Sequence, residues 1–186
     1  MVTSADVVNR ALEVAARNVQ VTGTNPTFDG TPAGNAAGVL YTPAVNLVMR
    51  QLDPAFARRT LTLTPVAGTI PPPWTHEYTY PTDCLRLRGL APASPVANDP
   101  TPIRGQVAFD NGLAVKVIVC NIAAAVAKYT SSGPTETQWD WAFADAVAKR
   151  LANPLSMALA GRPDFARELL QEAEQAAAAA DLIDEV

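Results

Sequence analysis

The chain is poor in the residue types that most often carry chemistry. Its 186 residues include one histidine and two cysteines, charged residues make up 17%, and aromatics make up 6%. Cys84 and Cys120 each lie in an apolar run, where a free cysteine behaves as a small buried hydrophobe. One such pair, with no secretory leader, argues against a structural disulfide. The opening Met-Val-Thr-Ser-Ala-Asp has neither the basic region nor the apolar core of a signal peptide. No apolar run approaches the ~20 residues of a membrane span. The expectation is a soluble chain made in a reducing cytoplasm. No Gly-x-Gly-x-x-Gly or Walker sequence occurs, and Gly23, Gly30, Gly34 and Gly38 precede no lysine-bearing helix. A net charge of −4 and a pI near 4.9 argue against a general nucleic-acid binder, which needs a clustered basic surface. Little charge beside 48% hydrophobic residues implies that a partner covers part of the surface.

The most informative stretch is Trp74-Thr-His-Glu-Tyr-Thr-Tyr-Pro-Thr-Asp-Cys-Leu-Arg-Leu-Arg88. Trp74, His76, Tyr78 and Tyr80 alternate with Thr75, Glu77 and Thr79, the period of a half-buried strand. Pro81, Thr82 and Asp83 supply turn chemistry. A second strand follows with Leu85 and Leu87 on one face and Arg86 and Arg88 on the other. The pattern predicts an aromatic-rich hairpin packed against something.

Around it, Thr3 or Ser4 caps a predicted helix running to about Asn18, with Val7, Val8, Ala11, Leu12, Ala15 and Val19 at helical spacing. Residues 22–38, rich in Gly, Thr, Asn and Pro, read as a long loop. A second helix is expected from about Pro43 to Leu52, restarting after Asp53-Pro54 with Phe56, Arg58 and Arg59. Nine of the sixteen prolines fall between Pro65 and Pro102, and the triplet Pro71–Pro73 reads as extended. Further strands are expected at about 103–109 and 113–121, hinged on Asp110-Asn111-Gly112, where Asn-Gly is a hairpin signal. Thr135 is placed as the cap of a helix carrying Trp139, Phe143, Ala146, Val147 and Leu151, which Pro154 should kink or interrupt. Trp139 and Trp141 cannot share one helical face, so one is core and the other exposed or at an interface. The last helix opens at Arg162-Pro163-Asp164 and runs to about Leu182, with seven acids and one base from Asp164 to Val186. Its acids, Glu168 and Glu172 among them, suit either a basic partner or plain solvation.

The expected fold class is α+β, mainly α: a helical bundle of N-terminal helices and two long C-terminal helices, with a small antiparallel sheet or hairpin inserted in the middle. The expected organisation is a single domain, 1–186. Residues 1–63 supply the N-terminal helices, 64–122 the proline-rich β insertion, and 135–186 the C-terminal helices.

Candidate constellations are few. His76, Cys84 and Cys120 lack zinc-site spacing and a fourth ligand, and His76 is the sole histidine available as a base for either thiol. Glu77 and Asp83 form a conceivable carboxylate pair for glycoside hydrolysis, although Asp83 also has a turn role. Arg58, Arg59, Arg86 and Arg88 are the densest basic group; paired arginines hold carboxylates or phosphates, or remain simply solvated. No catalytic, cofactor or metal residue is assigned.

Three blocks together carry a resemblance that spans nearly the whole chain. They are Asn9-Arg10-Ala11-Leu12; Arg50-Gln51-Leu52-Asp53-Pro54-Ala55-Phe56-Ala57-Arg58-Arg59 with Tyr78-Thr79-Tyr80-Pro81-Thr82-Asp83-Cys84-Leu85-Arg86; and Trp139-Asp140-Trp141-Ala142-Phe143 leading to Leu159-Ala160-Gly161. In this order they resemble the head-to-tail adaptors of tailed bacteriophages, in particular the tail accessory factor and tail tubular A family of short-tailed phages. The Tyr-Pro-Thr-Asp-Cys-Leu-Arg block is the most specific. The resemblance implies a non-enzymatic virion protein at the head–tail junction, without cofactor, metal or membrane. It implies a homo-oligomeric ring of about twelve copies below the portal protein. Such a ring extends the DNA channel, passes packaged DNA without sequence-specific binding, and receives the downstream tail or nozzle protein. Trp74, Tyr78, Tyr80, Arg58, Arg59, Arg86, Arg88, Trp141, Glu168 and Glu172 are the expected interaction residues. The alternative is a tail-associated cell-wall hydrolase using Glu77 and Asp83.

Overall fold

The computed structural model describes residues 1–15, 17–68, 70–93 and 105–160, with 171, 174 and 175. Two compact units result: Met1–Phe56 joined by the chain from Pro134, and Ala57–Gly133.

In the first unit, α1 (Ser4–Val14) begins at a capping box: Thr3 Oγ1 accepts from the Asp6 N–H at 3.2 Å, and the Asp6 carboxylate accepts from the Thr3 N–H at 3.0 Å. Val7, Val8, Ala11 and Leu12 form its buried stripe. The helix stops short of Asn18, because Asn9 ties down the chain that follows. Its Oδ1 accepts from the Val21 N–H at 2.7 Å, and its Nδ2 donates to the Val21 carbonyl at 3.0 Å. Val21 is therefore buried, and Val19, expected on the helix's apolar face, is exposed.

Helix α2 (Pro32–Leu52) begins well inside the segment expected to be loop. Thr31 caps it by accepting from the Gly34 N–H at 3.1 Å, and Pro32 fits the first turn, where its missing N–H goes unneeded. Gly34 and Gly38 are not breakers. A Cβ at Gly38 would run into the Pro26 carbonyl, and one at Gly34 into Asp29, so these glycines let the preceding loop lie against the helix. Asp53, in the left-handed conformation at φ 52°, closes α2 by donating its N–H to the Met49 carbonyl.

Helix α3 (Trp141–Ala160) packs on both α1 and α2. Its start differs from expectation: Thr135 caps only a short 3-10 turn, Glu136–Gln138, and Asp140 caps α3 by accepting from the Phe143 N–H at 2.6 Å. The helix continues through Pro154 without interruption. Trp139 is buried edge-on against Phe143 and Trp141 is 69% exposed, so one is core and the other exposed as expected, although Trp139 lies in extended backbone before the helix and not on it. The helix expected from Arg162 to Leu182 lies outside the described residues apart from three positions.

Among its described residues the second unit holds six strands: β1 (Arg58–Thr62), β2 (His76–Thr79), β3 (Cys84–Pro92), β4 (Gly105–Asp110), β5 (Val115–Cys120) and β6 (Ala125–Ser131). They form two antiparallel three-stranded sheets, ordered β1-β6-β3 and β2-β5-β4. Tyr78, Leu90, Ile118, Cys120, Ala127 and Tyr129 from both sheets meet in the core.

These findings correct the expected mainly helical bundle. Among the described residues three helices stand beside two full sheets, so the fold is a balanced α+β arrangement. Three features of the second unit account for the difference. Arg58 and Arg59, assigned to a helix, begin β1 after the 3-10 turn Ala55–Ala57; every residue of β1 is exposed, so the strand has no apolar face to signal it. Strand β6 was unassigned, because Ala125 and Ala127 fill its core positions without apolar bulk. The stretches on either side of Pro81 do not pair with each other: β2 joins β5, and β3 joins β6. The Asn-Gly hairpin between β4 and β5 forms as expected. The Pro71–Pro73 run turns instead of extending, with a cis bond between Pro72 and Pro73 and the Trp74 N–H bonded to the Pro71 carbonyl.

Candidate interaction surface

The Tyr-Pro-Thr-Asp-Cys-Leu-Arg block is organised around a strand that the sequence did not reveal. Its polar residues address β6 one after another. Asp83 accepts from Ser131 Oγ at 2.7 Å and from the Tyr129 hydroxyl at 3.1 Å, while its carbonyl accepts from the Ser132 N–H at 2.8 Å. Burial, reinforced by Asp83, pushes the Tyr129 phenol upward, so it remains a hydrogen-bond donor. Arg88 Nε donates to Thr130 Oγ1 at 2.8 Å. Arg58 on β1 and Arg86 on β3 both stand opposite Thr130, one on each side.

Directly opposed residues of an antiparallel pair share a sheet face. Arg58, Thr130 and Arg86 therefore line one face, and Lys128, two residues along β6, extends it; Arg58, Arg86 and Lys128 are exposed. Ala125, Ala127 and Tyr129 point to the other face, into the core. Register shifts between Cys84 and Arg86 and between Leu87 and Gly89 make this division possible. They place Leu87 and Leu90, three apart, on the core side, where strict alternation would put Leu85 and Leu87 together.

The remaining predicted residues fall elsewhere. Tyr78 is 1% exposed, with its hydroxyl donating to the Ile122 carbonyl at 2.6 Å, so it is a core residue and not an interaction residue. The alternation placed it on an aromatic face without saying that a second sheet covers that face. Tyr80 is half-buried, donates to the Cys84 carbonyl, and lies under Lys116 Nζ at 4.3 Å from the ring centroid. Trp74 is half-buried and Arg59 exposed. Glu168 and Glu172 lie outside the described residues.

Cys84 and Cys120 are free thiols, each pushed upward by burial, which suits apolar packing better than nucleophilic work. Asp83 is occupied by Ser131 and Tyr129, and the carboxylate beside Glu77 is that of Asp110. The chain matches no family model and no curated protein. No described helix is long and apolar enough to cross a membrane.

Proposed function

We propose that this chain is a structural head-to-tail adaptor of a tailed bacteriophage virion, without catalytic activity. Copies close into a ring of about twelve below the portal, extend the DNA channel and receive the next tail component. The observation that carries this reading is the basic sheet face of Arg58, Arg86 and Lys128, with Arg88 bonded to Thr130 beside it. A sheet face that gathers basic residues in a chain of net charge −4 offers a docking surface of sign opposite to the chain as a whole. Heterologous ring contacts need unlike surfaces, and complementary charge fixes partner and register. Trp141, exposed at the start of α3, offers a separate apolar anchor of the kind enriched at interfaces.

The hydrolase alternative gains no support, since Glu77 and Asp83 have separate surroundings and Asp83 is committed to the turn and β6. The doubly reversed variant Arg86→Glu/Lys128→Glu tests the adaptor reading. Both side chains are exposed, so the variant should keep the wild-type circular dichroism and melting. It should lose association with the portal, or weaken it at least about tenfold, consistent with losing complementary charge pairs. Undiminished association would remove the basic face from the account.

A further inference from the structure

Glu77 on β2 and Asp110 at the end of β4 bring two carboxylates together inside the second unit, both flanking β5. Glu77 is 3% exposed and Asp110 9% exposed. Glu77 Oε1, Glu77 Oε2 and Asp110 Oδ2 are all buried with no hydrogen-bond partner. Asp110 Oδ1, by contrast, accepts from the Gly112 N–H at 2.7 Å and the Leu113 N–H at 3.2 Å, which fixes the carboxylate and aims Oδ2 away from the turn. The orphan oxygens converge: a Cβ added to Gly68 would clash with Asp110 Oδ2 and stand 2.8 Å from Glu77 Oε2. Glycine at 68 lets both carboxylates lie against the backbone. Beside it lies a cavity of about 350 Å³ lined by Pro71, Glu77, Asp110, Asn111 and Val117 among others.

Two carboxylates withdrawn from water with no cation facing them are costly, and the arrangement persists only if something neutralises them. A proton shared between the two carboxylates would satisfy one oxygen of each and is the competing arrangement. We infer that Glu77 and Asp110 hold a divalent cation of the calcium type, with Asn111 and water completing the shell. Calcium takes six to eight oxygens in irregular geometry, and Glu77 Oε1, Glu77 Oε2 and Asp110 Oδ2 would supply three of them. Magnesium, which demands a tight octahedron, fits less well. The site would staple β2 to the β4–β5 hairpin, and it is independent of the basic face on the other sheet.

The test is the thermal midpoint of the full chain at pH 7 in EDTA against millimolar CaCl2. Calcium should raise it by about 5 °C or more, as expected for a ligand binding only the folded state well above its Kd. Magnesium should raise it less. Glu77→Gln and Asp110→Asn should each abolish the calcium shift; the Asn retains an oxygen for the Gly112 and Leu113 N–H groups. An unchanged midpoint with calcium would overturn the proposal in favour of a proton shared between the two carboxylates. Should either variant fail to fold, calorimetric titration of CaCl2 into the wild-type chain decides: saturable heat supports the site, and no heat overturns it.

Discussion

Asn9 commits both ends of its amide to Val21, the buried residue that anchors the chain leaving α1. This gives a physical account of the asparagine in the Asn-Arg-Ala-Leu block. Asn9→Ala would strand a backbone donor and acceptor at a buried position, so it should destabilise the first unit by about 1–3 kcal/mol. Urea denaturation checks this, and a lowered midpoint at unchanged slope is the expected result. The residue next to it, Arg10, reaches Asp145 and Glu13 at 3.3 Å on an exposed surface, where ion pairs contribute little. Residue type alone told these two neighbours apart poorly: the polar and charged pair look equivalent in sequence, and only the position of Val21 makes one of them structural.

Elements were legible in proportion to how much apolar pattern they carry. The cap and stripe of α1 and the Asn-Gly hairpin are strong local signals, and both formed. Strand β1 has no buried residue, and β6 buries alanines, so neither left a readable trace although together they complete the sheet that gathers the arginines. The start of α3 was misplaced for a related reason. Thr135 and Asp140 are both capping residues, and the turn Glu136–Gln138 absorbs the first of them. Asp140→Ala should therefore cost about 1 kcal/mol, with the loss visible as earlier thermal unfolding, whereas Thr135→Ala should cost distinctly less. Equal losses from the two would place the functional cap wrongly.

At the scale of the molecule, β6 explains Asp83 of the Tyr-Pro-Thr-Asp-Cys-Leu-Arg block and Arg88 just beyond it, because Asp83 accepts from Tyr129 and Ser131 and Arg88 donates to Thr130, while Arg86 stands opposite Thr130 in the register. The sequence grouped Arg58, Arg59, Arg86 and Arg88 as basic residues, but that Arg58 and Arg86 share a face with Lys128 follows only from the pairing of β1 and β3 with β6. The sign of that face, opposite to that of the chain, is the basis for assigning an assembly role. The most direct measurement is the mass of the purified chain by light scattering, alone and mixed with the portal ring of the same phage. The account predicts a monomer alone and a ring-sized complex with the portal. A chain that shows no added mass in the presence of the portal would contradict it.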